Sequence, residues 1–179
     1  VHNVISGSTV LAEDGTPMAF YSAPDGEGIK FWRATGSDDL LSWTNRGQVS
    51  GLTRNSQGIP DFDRSWRDPF VFSADGRTFM LLCADLFDET YVPLPIFEAE
   101  NEDLSSWTYR GLLFTYPKNK LRNLEVPELR PLEDRWVLLA SCDAPLDMTW
   151  HFVGDLDLEN FKFTPTSEGP LDYSPHYYA

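Results

Sequence analysis

Asp103-Leu104-Ser105-Ser106-Trp107 is the middle copy of a signature that also stands as Asp39-Leu40-Leu41-Ser42-Trp43 and, more loosely, as Asp157-Leu158-Glu159-Asn160-Phe161. The copies recur at roughly 55 to 65 residues, a period that marks a repeated supersecondary unit. Upstream in each copy a turn leads into an apolar run: Asp14-Gly15-Thr16-Pro17-Met18-Ala19-Phe20-Tyr21, Asp75-Gly76-Arg77-Thr78-Phe79-Met80-Leu81-Leu82, and Glu133-Asp134-Arg135-Trp136-Val137-Leu138-Leu139. Between the two signatures lies another strand-like run, near Ile29 to Ala34, Pro95 to Ala99 and Met148 to Val153. The first two copies close on Arg46-Gly47 and Arg110-Gly111. About four short strands per copy, with no convincing amphipathic helix, predict an all-β chain of β-propeller blades. A β-sandwich with coincidentally similar turns is the alternative.

The blades are expected at about 1–50, 66–115 and 125–165, with the start of a further blade at 172–179. Propellers close with roughly four to eight blades, so about three leave the circle open. The chain also opens on Val1 rather than Met. It therefore reads as a piece of a longer protein, or as one part of a propeller completed by a second polypeptide.

Composition narrows the partner. Aromatic residues make up 14% of the 179 residues and include six Trp, which suits strands and surfaces that stack on sugars. Asp and Glu number 28 against 14 Lys and Arg, and the formal charge of -14 argues against nucleic acid. No run approaches the roughly 18 apolar residues of a membrane span, and no signal-like segment opens the chain. Cys83 and Cys142 lie in apolar runs without metal-binding spacing and read as buried thiols. His2, His151 and His176 are scattered, so no metal site is expected, and no cofactor motif appears. Asp61-Phe62-Asp63 reads as a solvated loop rather than a calcium site.

The first strand of a blade lines the central channel, so blade openings aim their side chains at one axial pocket. Those openings are Ile5-Ser6-Gly7-Ser8, Trp66-Arg67-Asp68-Pro69, Glu125-Val126-Pro127-Glu128, and Asp172 through Ala179. They bring two carboxylates, Asp68 and Glu125, at what look like matching places in successive repeats. Carboxyl pairs cleave glycosidic bonds: one protonates the leaving oxygen while others stabilise or trap an oxocarbenium-like centre. Asp68 can accept from two adjacent sugar hydroxyls, held ionised by Arg67. Apolar neighbours of Glu125 would favour its protonated form. Trp66 is a candidate to stack on a sugar ring, while Trp43 and Trp107 hold repeat positions and read as blade packing. Glu128 reads as a surface or supporting residue.

At these residues the whole chain resembles glycoside hydrolase family 32. The family's motifs stand here in order as Ser6-Gly7-Ser8, Arg67-Asp68-Pro69, Glu125-Val126-Pro127, and Asp172-Tyr173 through Tyr177-Tyr178-Ala179. The resemblance implies a five-bladed propeller enzyme that, with retention, hydrolyses or transfers β-fructofuranosyl units of sucrose, inulin or levan. It implies Glu125 as general acid/base and Asp68 as transition-state stabiliser. Arg67, Ser6, Trp66, Ile5 and Asp172 would contact a fructose-containing oligo- or polysaccharide. An extracellular, secreted location goes with the family. Val126, Ile5 and His176 depart from the family's usual Cys, Phe and Asp. The family's nucleophile, an Asp on the first blade, is expected outside this chain, since Asp14, Asp25, Asp61 and Asp63 sit in turns or loops. Two other readings stay open: a five-bladed propeller glycosidase acting on arabinans or xylans, and a non-catalytic propeller piece that binds sugar or protein.

Overall fold

In a computed structural model the described residues are 3–52, 58–60, 66–85, 90–142 and 147–172. They form twelve strands and, among themselves, no helix. The first sheet joins β1 (Gly7–Leu11), β2 (Pro17–Pro24), β3 (Ile29–Gly36) and β4 (Trp43–Gln48) in sequence order. The second joins β5 (Arg67–Ala74), β6 (Arg77–Cys83), β7 (Tyr91–Ala99) and β8 (Trp107–Pro117) in the same way. The third, equally ordered, holds β9 (Glu125–Leu132), β10 (Arg135–Cys142), β11 (Met148–Asp157) and β12 (Lys162–Pro170). All pairings within the sheets are antiparallel. Three such meanders whose first strands touch in turn, β1 on β5 and β5 on β9, are the blades of a partial β-propeller.

The recurring signatures are the turns of these blades. In each copy the leading Asp accepts a hydrogen bond from the backbone amide two residues on, Asp39 from Leu41, Asp103 from Ser105 and Asp157 from Glu159, each between 3.0 and 3.2 Å. That local bond is why Asp opens the motif: its short carboxylate stands in for a backbone acceptor. Arg-Gly closes the first two copies because the outer strands carry a bulge there, and Gly47 and Gly111 take φ of 93° and 137°.

Packing between blades explains the uneven hydrophobicity. The middle sheet is covered on both sides. Phe70, Phe72, Phe79 and Leu81 face the third sheet, with Leu129, Leu138, Phe152 and Phe163. Val71, Met80, Leu82, Phe97 and Trp107 face the first, with Met18, Phe20 and Phe31. Successive residues on a strand point to opposite faces, so two buried faces require a continuous apolar run, and Phe79 to Cys83 supplies it.

The paired tryptophans differ. Trp107 is fully buried: Phe20 meets it edge-on at 5.8 Å, and its amide donates to the Ser50 carbonyl at 3.1 Å. Trp43 packs on Gly36 and donates its indole N–H to the Leu40 carbonyl within its own blade, as Trp107 does to Leu104, but it is 41% exposed. The physical reason is local: the first sheet packs against the Trp107 turn, while among the described residues no sheet packs against the Trp43 turn. Cys83 and Cys142 are buried and not disulfide-bonded.

Candidate active site

Both carboxylates arise from one backbone device. In the second blade Arg67 lies opposite Cys83 and Phe70 opposite Leu81, so Asp68 and Pro69 together face a single partner residue. In the third blade Glu125 lies opposite Ser141 and Glu128 opposite Leu139, so Val126 and Pro127 do the same. Each is a β-bulge, which re-aims side chains at the end of a strand. Proline suits the extra position because it has no N–H to leave unpaired. Asp68 and Val126 take φ of 57° and 45°, a region that is costly for residues other than Gly, especially a β-branched one.

This register corrects one expectation. Asp68 and Glu125 are not at matching positions: Glu125 corresponds to Arg67, and Asp68 to Val126. The offset is what joins the two openings. Arg67 ion-pairs with Glu125 across the blades and, through Nε at 3.5 Å, with its own neighbour Asp68. Asp68 Oδ2 in turn accepts from the Val126 amide at 3.1 Å. One guanidinium thus bridges two carboxylates on neighbouring blades, and a planar fork of donors is the side chain suited to it.

Asp68 is only 3% exposed. Burial pushes its carboxyl above the ordinary aspartate range, and the Val126 amide, the Arg67 charge and the Ser6 hydroxyl pull it back only in part. Its amide donates to the Ser22 hydroxyl at 3.4 Å, and Ser22 donates to the Ser6 carbonyl at 3.2 Å. Ser22 is wholly buried and ties the first two blade openings together. Glu125 Oε1 also accepts from the Asn123 side-chain amide at 2.9 Å. Ser22 and Asn123 were not singled out from sequence. Asn123 carried a usable cue, a short amide two residues before the acid.

The other expected residues divide. Ile5 lines a channel cavity of about 480 Å³, with Tyr21, Asp68, Phe70 and Glu128 also on its wall. Ser6 reaches Asp68, as above. Trp66 is not available to a sugar: it is 1% exposed, lies edge-on between Phe31 and Phe97, and its indole N–H donates to the Leu52 carbonyl at 3.3 Å. A large ring one residue before the channel strand turns into the space between blades, where it contributes packing. Asp172 is exposed, and the rest of its motif, residues 173–179 including His176, lies outside the described residues. Asp61 and Asp63 lie outside them too. Glu128, further down the channel, pairs with Arg130 at 2.8 Å. Among the described residues no three His, Cys, Asp or Glu side chains gather as a metal site.

Over residues 1–179 the sequence matches the family model described as the glycosyl hydrolases family 32 N-terminal domain. No match exists among curated proteins. Among solved structures, the Bombyx mori GH32 beta-fructofuranosidase superposes with a TM-score of 0.73 at 18% identity, covering 98% of this chain and 39% of that one. The Aspergillus kawachii beta-fructofuranosidase gives 0.74 at 16% identity, covering 95% and 36%. A Penicillium chrysogenum alpha-L-arabinanase gives 0.61 at 13% identity, covering 99% and 52%. The chain therefore spans about two fifths of the first of these enzymes. Likeness at such identities establishes the propeller fold.

Proposed function

We propose, from the fact that this chain belongs to glycosyl hydrolase family 32, that it contributes two carboxylates to an active site cleaving or transferring β-fructofuranosyl units. The observation that carries the reading is Arg67 bridging Asp68 and Glu125 where two blades meet at the channel. In this reading Glu125 gives a proton to the glycosidic oxygen as a carboxylate nucleophile attacks the anomeric carbon, and the leaving sugar departs with that proton. Water, deprotonated by Glu125, then displaces the enzyme carboxylate and fructose leaves with its configuration retained. A sugar hydroxyl in place of water gives transfer. Asp68 accepts hydrogen bonds from fructosyl hydroxyls, strengthened as positive charge grows on the ring, and Arg67 keeps it oriented.

The nucleophile in this scheme comes from outside residues 1–179. The carboxylates at the starts of β5 and β9 are Asp68, Glu125 and Glu128, of which Asp68 and Glu128 line the cavity, and Glu128 is already paired with Arg130. The substrate class follows the family and the carboxylates that can accept sugar hydroxyls at the blade openings: sucrose, or a fructan of inulin or levan type.

The test is to incubate the intact protein separately with sucrose, inulin, levan, arabinan and xylan and to measure released sugar. Fructose from the first three supports the reading. Arabinose or xylose alone would replace it with the arabinan and xylan alternative, whose arabinanase representative shares the fold. Calorimetric binding of fructo-oligosaccharides without any release would mark a sugar-binding propeller instead.

A further inference from the structure

We infer that Asn123 is a positioning residue for Glu125, holding its carboxyl in the orientation the proposed reaction needs; the inference rests on the acid role given to Glu125 above. Asn123 lies in the segment between β8 and β9, two residues ahead of Glu125, and is half-buried. Its side-chain N–H donates to Glu125 Oε1 at 2.9 Å, and Arg67 donates to the same oxygen. Two donors converging on one carboxyl oxygen hold the group in one orientation. The two donors also come from different blades. Arg67 sets the carboxyl from β5 and Asn123 from the approach to β9, so rotation about the last side-chain bond of Glu125 would break one or both contacts. A general acid must be aimed at the leaving oxygen within hydrogen-bond reach, and a terminal carboxyl torsion is otherwise broad.

Neighbouring geometry supports a local task. Leu124, the intervening residue, is 1% exposed and anchors the segment in the core of the second and third blades. Asn123 and Leu124 precede the strand that begins at Glu125, and the hydrogen bond itself sets the Asn123 amide beside the Glu125 carboxyl. Asn is suited to this place because its short amide donates without adding charge.

The experiment uses the intact protein with Asn123→Ala, the near-isosteric Asn123→Asp, Glu125→Gln and the Asn123→Ala/Glu125→Gln pair. Each is assayed on sucrose and on an aryl β-fructofuranoside whose phenolate leaves without protonation. An inactive parent would count against the enzymatic reading itself, which separates that failure from this one. With an active parent, both Asn123 variants should lower kcat on sucrose at least about tenfold with KM nearly unchanged, while kcat on the aryl substrate falls less than about threefold. Asn123→Ala should cost nothing further once Glu125 is Gln. Equal losses on the two substrates, or losses that add to those of Glu125→Gln, would overturn the inference. Asn123→Asp keeps the size of the side chain, so a folding failure of the alanine variant leaves the test intact.

Discussion

Asp68 concentrates the chemistry of this molecule in one residue: a nearly buried carboxylate in a left-handed conformation, facing one guanidinium. Its folded-state pKa lies above the ordinary aspartate value of 3.8, so the native state holds the proton more tightly than the unfolded chain. Stability from this group is therefore greatest at low pH and declines as pH rises from about the ordinary value through the folded one. Asn cannot ionise. Asp68→Asn should accordingly raise Tm relative to the parent at pH about 7, with the advantage shrinking toward pH about 4. A Tm advantage that grows on acidification would contradict the burial argument. Turnover of sucrose by the same variant should fall well beyond about twofold, because the neutral amide grips a cationic ring less strongly.

At the scale of elements, the Asp-x-x-x-Trp turns carry different weights in different blades. Trp107→Ala should cost about 3–5 kcal/mol in urea unfolding of the intact protein, since it empties a sealed site between two sheets. A loss below about 1 kcal/mol would contradict the sealed packing of Trp107. Gly51→Ala should cost more than about 2 kcal/mol, because φ is 84° there and a Cβ would meet the Trp107 carbonyl oxygen at 1.7 Å. The periodic turns were legible in the sequence because an Asp side chain bonding its own backbone is a local event. The fate of Trp43 was not legible, since its exposure depends on which sheet lies opposite. Trp66 misled for a related reason: its place beside Arg67 suggested the channel, but the bulge that aims Asp68 begins one residue later and leaves Trp66 in the interior.

Across the whole molecule, three similar sheets make one site because their openings differ. Ile5 and Ser6 supply a hydroxyl and an apolar wall, Arg67 and Asp68 an ion pair, and Glu125 with Val126 a carboxylate and a backbone donor. The motifs that named these residues were visible as short strings in order along the chain. Their one-residue offset was not, because register is decided by cross-strand partners and by bulges that only the paired sheet defines. The supporting contact from Ser22 was hidden for the same reason, as it reaches between blades, whereas Asn123 left a local cue two residues before Glu125. The central claim is that the Glu125 carboxyl, set by Arg67, is the proton donor to the leaving sugar. Fructose release from sucrose by the intact protein, compared with its Glu125→Gln variant at equal sucrose binding by calorimetry, tests it most directly. The account predicts a rate lower by at least about a hundredfold with affinity retained; release at the parent rate would contradict it.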